Sequence, residues 1–485
     1  MRVLHVIDQL RPGGPLQALI AAAKQSHPEN RIAHHIFSIK AADRRACAQA
    51  SAAGIEYTSV ADAAFLHTAM AAADIVQVHF WNNPLIHDFL AGDLPPIRLL
   101  LWCHVNGVAA PHIIPRLLVD RSDITVATAS STLDLPVFRE ASPARTALVE
   151  STADFTRLSG LKRLPHDDFR IGYLGSLDFA KLHQSFVSMC AAVTIPSARF
   201  LLCGEGSGVR EIKRQARALG LLERLEFYGY TEDLRSVLGQ FDVFGYPLNA
   251  DTFATAELSL QEAMYAGVSP VVFRHQGPEQ IVQNAVTGMV VDSESEYVAA
   301  IEWLYRHPDE RTLFGKNAAL AMFERLQRSS IQSDAIYLRL MDHSKRPRPR
   351  MYGDDLSLQR QAKSSRGAWS FIRSLDGGGD RDFVASLSGA TETEVETAEQ
   401  KIAQANPNMH NVILQYCSFY REDPHLHLWT GLVLRRNGHP ALAASQFRAS
   451  IALGQEDRRV HRYFEDSVRA ATLSRQRPRS PAENS

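Results

Sequence analysis

Cysteine is scarce in this 485-residue chain: the five present, Cys47, Cys103, Cys190, Cys203 and Cys417, are odd in number and widely scattered. No close pair offers a metal clip or a disulfide framework, which points to a reducing, cytoplasmic setting. Charge of one sign is lacking too, since 52 Lys and Arg face 53 Asp and Glu. A formal balance of −1 creates no whole-molecule field toward nucleic acid or an anionic membrane, so nucleic acid is not an expected partner. Any membrane contact has to be local and peripheral. No run approaches the ~18 uninterrupted apolar residues that a transmembrane helix needs. Residues 1–7 lack the basic, apolar, small-residue order of a secretory signal and read instead as a first strand running into Asp8.

What is present is an ordinary globular composition, 45% hydrophobic and 22% charged. At roughly 150 residues per domain the length predicts two large units and a smaller one. Short β-branched or apolar runs at 3–7, 35–39, 75–78, 99–103 and 124–128 alternate with longer helical stretches. The pattern then restarts at 170–174, 200–203, 225–228, 243–246, 270–273 and 289–291. Such alternation predicts parallel α/β sheets. The fold class is therefore α/β: two Rossmann-like, doubly wound domains, residues 1–160 and 161–343, facing each other across a cleft. Residues 344–384, with a basic Pro-rich start and a Gly-rich break at 377–379, read as a linker. Residues 385–473 read as a small all-α domain and 474–485 as a disordered tail. Gly431, Gly438, Ala443, Phe447 and Ser450 fall at tetratricopeptide-repeat spacings, so this helical domain is expected to be TPR-like, removable and suited to a protein partner.

Ligands of doubly wound sheets sit beyond the carboxyl ends of the strands, so the loops there are the places to look for chemistry. After the first strand stand Gly13 and Gly14, with Pro15 suited to the first turn of a helix. Glycine allows close approach of a ligand, and a helix start attracts an anion such as a diphosphate. The second half opens with a strand, then Gly175, Ser176 and Lys181, a cation able to neutralise a leaving diphosphate. Glu257 and Glu262 stand at a loop-to-helix start, where a carboxylate can accept hydrogen bonds from ribose or sugar hydroxyls. A carboxylate there also complements a helix dipole, which suits Glu257 better than Glu262.

In order, the Gly13-Gly14 turn, the Gly175 to Lys181 turn, the run from Phe200 to Gly206, Gly229, the run from Glu262 to Gly267, and Gly288 resemble the family 4 retaining glycosyltransferases of GT-B fold. The resemblance covers about residues 1–335, most specifically in its second half. It implies a nucleotide-diphosphate sugar donor, a UDP- or GDP-sugar, held mainly by the second half. It also implies metal-independent transfer without a further cofactor, retention of anomeric configuration, and an unidentified hydroxyl acceptor. Glu262 matches the glutamate that contacts the ribose, Lys181 the diphosphate lysine, and Gly14 the first Gly loop. His104 looks like the cleft histidine near the transferred sugar, and Gly229 lies with the donor-binding positions. Ala254 stands where the first glutamate of the family's acidic pair is usual, leaving Glu257 as its substitute. Ser176 occupies a position where many members have arginine, and Ser151 one where asparagine is usual. His104, Glu257 and Lys181 are thus the candidate catalytic residues. The rival expectation is a catalytically inactive sugar-nucleotide-binding or scaffold protein.

Overall fold

The computed structural model describes residues 1–26, 28–59, 63–275, 277–351 and 365–476. Most of the expected tail, residues 477–485, lies outside them, as do residues 352–364 of the expected linker.

Among the described residues of the first half there are eight strands: β1 (Arg2–Ile7), β2 (Ala33–Ser38), β3 (Glu56–Ser59), β4 (Ile75–Phe80), β5 (Leu94–Ile97), β6 (Leu99–Cys103), β7 (Ile124–Ala127) and β8 (Thr146–Leu148). All but β5 join one parallel sheet in the order β3-β2-β1-β4-β6-β7-β8. β4 and β6 are buried along their whole length, as central strands covered on both faces must be. The second half repeats the plan with β9 (Phe169–Leu174), β10 (Ala198–Cys203), β11 (Leu225–Gly229), β12 (Val243–Tyr246), β13 (Ser269–Phe273) and β14 (Met289–Val291). Their order is β11-β10-β9-β12-β13-β14, again parallel. In each sheet the strand order reverses beside the first strand, between β1 and β4 and between β9 and β12, which is where doubly wound folds bind ligands.

Every strand expected from the apolar runs is present within a few residues. The short β3, β5 and β8 escaped that reading because their sequences hold no apolar run: β3 is Glu-Tyr-Thr-Ser and β5 carries two prolines. The long helix Pro308–Met341 places Phe314, Ala318 and Met322 in the core of the second half and Ile336, Tyr337 and Leu340 against Val3, Ile75 and Leu100 of the first.

The chain forms two compact units. One, residues 1–80, 95–106 and 119–346, holds both sheets. The other gathers residues 81–94, 107–118 and 347–485. Within this second unit Trp429, Leu432 and Val433 of the helix Pro424–Arg436 and Ala443, Phe447 and Ser450 of the helix Pro440–Ala452 are all buried. Gly438 turns the chain between them at φ 78°. The stretch expected to be a linker contributes the helix Arg366–Ser374, whose Ala368, Phe371 and Ile372 enter the same core. Apolar residues at helical spacing override the basic, Pro-rich impression of the sequence before them. The Gly377–Gly379 break consequently lies inside this unit, with Arg116 N–H donating to Asp376 at 2.7 Å beside it.

Candidate functional site

The loops after β9 and β12 meet at the switch point of the second sheet. Lys181 Nζ lies 3.2 Å from Glu257 Oε2 and 5.2 Å from the centre of the Tyr246 ring. Tyr246, the last residue of β12, donates its hydroxyl to the same Glu257 oxygen at 2.6 Å. Burial and the neighbouring Glu257 carboxylate push the Tyr246 phenol well above its ordinary range, which keeps this donor protonated. Glu257 caps the helix Leu258–Tyr265 from a left-handed backbone, φ 43° and ψ 53°. A non-glycine residue pays strain there, and such conformations gather at functional sites. Its other oxygen, Oε1, is buried with no hydrogen-bond partner among the described residues. The site thus holds a carboxylate with spare acceptor capacity and a cation beside it.

One turn into that helix, Glu262 Oε1 pairs with Arg157 Nη1 at 3.3 Å. Burial pushes the Glu262 carboxyl up to about 7, with Asp154 adding to the rise and Arg157 opposing it. Burial outweighs the ion pair because Arg157 meets one oxygen only, through a single long contact. Gln261, between the two glutamates, accepts from Ala153 N–H at 3.3 Å and donates to Ser151 C=O at 2.9 Å. The acidic segment is thereby fastened to the crossover between the halves.

The glycine loops place backbone around these side chains. Gly13 precedes the helix Gly14–Gln25 at φ 147°, and a Cβ on Gly14 would stand 3.8 Å from Leu258 Cδ1, so helix starts from the two halves lie against each other. Both present unpaired N–H groups, which favour an anion. Gly175 donates its N–H to Cys203 C=O at 3.0 Å, and a Cβ on Gly204 would fall 1.9 Å from Gly175 O, so only glycine fits there. Ser176 is exposed, and its C=O accepts from Tyr173 OH at 2.9 Å. Gly229 ends β11 at φ 67° and accepts the Gly204 N–H at 2.8 Å, so it supports the loop from beneath.

His104, half-buried just past β6, takes its place through its backbone N–H to Phe80 C=O, at 2.9 Å, and through its ring, 2.7 Å from His79 Nδ1. Two residues on, Asn106 donates to Phe253 C=O and Thr252 C=O, both at 2.9 Å, tying this loop to the strand of chain that leads into Glu257. The structure thus brings Lys181, Glu257 and Tyr246 into contact, sets Gly14 against the helix that follows Glu257, and links His104 to the segment before Glu257 through the backbone. Sequence reasoning missed Tyr246 and Arg157, and noted Gly204 only within the run from Phe200 to Gly206. Tyr246 ends a recognised strand and so was findable, whereas the pairing of Arg157 with Glu262 joins segments that no local pattern connects. Asn82, in the loop after β4, is buried in the helical unit. Among the described residues no group of three or more His, Cys, Asp or Glu is gathered as a metal site needs, and no helix is long and apolar enough to cross a membrane.

Residues 155–321, which carry Arg157, Lys181, Glu257 and Glu262, match the family described as Glycosyl transferases group 1. EpsD of Bacillus subtilis (strain 168), whose name assigns it as a glycosyltransferase, is 23% identical over 147 residues, 30% of this chain; the match spans 38% of that relative's length. Three solved structures share the arrangement of the two sheets. The Anabaena protein Alr3699/HepE in complex with UDP-glucose is 17% identical and covers 70% of this chain and 99% of its own, with a TM-score of 0.57. A glycosyltransferase from Rickettsia africae ESF-5 is 13% identical, covering 71% and 99%, with a TM-score of 0.58. Sucrose-phosphate synthase from Thermosynechococcus elongatus is 15% identical, covering 70% and 98%, with a TM-score of 0.54. The fold is GT-B, with a helical region added.

Proposed function

We propose that the chain is a retaining, metal-independent glycosyltransferase that moves a sugar from a nucleotide-diphosphate sugar, a UDP- or GDP-sugar, to a hydroxyl acceptor. The observation that carries this reading is the Lys181, Glu257 and Tyr246 cluster at the β9/β12 switch point, with one Glu257 oxygen unspent. Lys181 and the Gly14 helix start stabilise the charge that grows on the leaving diphosphate. Glu257 accepts from a sugar hydroxyl and Glu262 from the ribose, while Gly13, Gly175, Ser176 and Gly229 shape the loops around the donor. As the glycosidic bond breaks, the sugar carbon gains oxocarbenium character. The acceptor hydroxyl attacks from the face the diphosphate leaves, and a departing phosphate oxygen takes its proton. His104 faces the transfer from the first half.

A GT-B fold, a family match over the donor half and a neighbour solved with UDP-glucose support the donor class. Five free cysteines, four of them buried, suit a cytoplasmic enzyme. The TPR-like helical unit is the surface for a protein partner. Incubation with UDP-, GDP- and ADP-sugars, with and without hydroxyl acceptors, tests the reading. Transfer or slow donor hydrolysis with retained configuration is expected; nucleotide binding without turnover of any donor overturns it.

A further inference from the structure

Four histidines cross the first sheet in a diagonal line. His34 lies on β2 beside Val3, and two residues along β1 comes His5. His5 lies beside Gln77 on β4, and two residues along comes His79. His79 lies beside Trp102 on β6, and two residues along comes His104. Each step crosses one strand and climbs two residues, which keeps every ring on one face of the sheet. The rings are joined in a single sense: His34 Nδ1 to His5 Nε2 at 2.8 Å, His5 Nδ1 to His79 Nε2 at 3.1 Å, and His79 Nδ1 to His104 Nε2 at 2.7 Å. Burial holds His5 and His79 well below the usual imidazole range and His34 and His104 at about 4, so all four are neutral near pH 7.

A neutral imidazole carries one N–H and one lone pair, and each link needs one of each. The chain therefore has two coherent states, with every proton on Nδ1 or every proton on Nε2. Two features choose between them. Tyr337 OH donates to Gln77 Oε1 at 2.7 Å, which turns the Gln77 amino nitrogen toward His79 Nε2, 3.4 Å away. An amino group faces a lone pair, so the His79 proton belongs on Nδ1. At the far end, His34 Nε2 is buried with no hydrogen-bond partner among the described residues, and an orphaned lone pair costs less than an orphaned N–H.

We infer that Gln77 and Tyr337 set the register of this four-histidine chain, and that the chain holds His104 as an Nδ1–H hydrogen-bond donor. The lone pair of His104, on Nε2, is then taken by His79, so this ring can donate a proton and cannot remove one. Gln77, Tyr337, His79, His5 and His34 are positioning residues that act through it. That the proton is offered to an oxygen of the donor sugar or the acceptor rests on the glycosyltransferase reading; the tautomer does not.

The test is the tautomer of each ring in the full-length protein labelled with ¹⁵N histidine, read from two-bond ¹⁵N–¹H correlations near pH 7, with signals assigned through single His→Gln replacements. Four neutral Nδ1–H rings are expected. Gln77→Glu, which sets an acceptor before His79 Nε2, is expected to convert all four to Nε2–H. Tyr337→Phe, a milder change should the buried carboxylate prevent folding, is expected to admit a second, Nε2–H population. An Nε2–H or doubly protonated His104 in the parent protein, or a pattern unmoved by both substitutions, overturns the inference. A protein with the Nδ1–H pattern that transfers no sugar from any donor sinks the glycosyltransferase reading and leaves the chain standing.

Discussion

The second Rossmann half and the helical unit are held together by different kinds of contact. In the second half the side chains that matter come from two strand-and-loop units that are neighbours in the sheet: Lys181 follows β9, and Tyr246 and Glu257 flank the loop after β12. In the helical unit the central node is Asn82. Its amide donates to Pro111 C=O at 2.7 Å and Ser374 Oγ at 3.0 Å, and accepts from Tyr416 OH at 3.1 Å. Nearby, Tyr420 OH donates to Asp88 at 2.5 Å, from a residue 332 positions later in the chain. A region built from local repeats announces itself in sequence; one assembled from distant insertions does not.

The strongest way to break this comparison is to end the chain at Asp342. The sequence alone suggests a removable helical domain. The structure changes that expectation, because residues 81–94 and 107–118 belong to the helical unit, and Ile86, His87 and Leu90 are each at most 2% exposed within it. Truncation strips these residues of their cover and leaves Asn82 without Ser374 and Tyr416. Loss of soluble, cooperatively folding protein is expected, measured by soluble yield and thermal unfolding. A soluble truncation with full donor binding would show that the inserted segments fold without their partners.

A second break falls on the second Rossmann half. The sequence suggests that Lys181→Ala removes an exposed charge at no cost to the fold, yet the Lys181 side chain is 24% exposed and the Glu257 side chain wholly buried. Removing the cation leaves that carboxylate with Tyr246 alone. Stability should fall by about 3 kcal/mol, the cost of breaking a buried pair. Donor binding should weaken by about 2 kcal/mol through loss of a charge-assisted contact. Adding Glu257→Gln should restore much of the stability and none of the binding. Calorimetry of donor binding beside denaturant unfolding separates the two effects, and equal recovery of both would mean that Lys181 serves the fold alone.

What the sequence made legible follows the same division. The strand runs, the Gly13-Gly14 turn, the Gly175 to Lys181 loop and the acidic segment can be read because each is a short local pattern with one physical reason. The facing stripes of Trp429, Leu432, Ala443 and Phe447 were equally readable. The helix Arg366–Ser374 was not, since a basic, Pro-rich stretch before it and glycines after it argue for a linker, and only its place in the core overrides them. Tyr246 as the partner of Glu257, Arg157 as that of Glu262, and the His34 to His104 diagonal depend on strand register and on loop meeting loop. Spacing in one sequence does not encode that.

Within the second Rossmann half the two glutamates offer a smaller contrast. Glu257 is matched by a cation and a phenol at its one engaged oxygen, whereas burial pushes Glu262 up to about 7 from its ordinary 4.5 despite Arg157. A carboxyl whose folded value is raised holds its proton more tightly when folded. Its contribution to stability is therefore fully present below about pH 4.5 and is lost as pH rises through 7. Over that window the parent protein should lose on the order of 2–3 kcal/mol that Glu262→Gln keeps. Urea unfolding at pH 4.5 and pH 8 measures it, and parallel stability curves for parent and variant would show that Arg157 fully compensates the buried charge.

The smallest expected effect sharpens the contrast between buried and exposed cations at the loop after β9. Ser176 stands one residue after Gly175, exposed, at the position where the family that the sequence resembles often has arginine. Its backbone C=O holds Tyr173 OH, a contact that a change of side chain leaves alone. Ser176→Arg should therefore fold as the parent does and bring a second positive charge to the loop. Being in water, that charge is worth no more than ~1 kcal/mol, against the larger loss expected at Lys181. The gain should also shrink as salt rises toward physiological strength, where charges farther apart than about 8 Å are largely screened. Donor titrations of parent and variant at low and high salt read the difference. A several-fold tightening at low salt that fades with salt places the donor's diphosphate at this loop; identical affinities at both salt concentrations place it elsewhere.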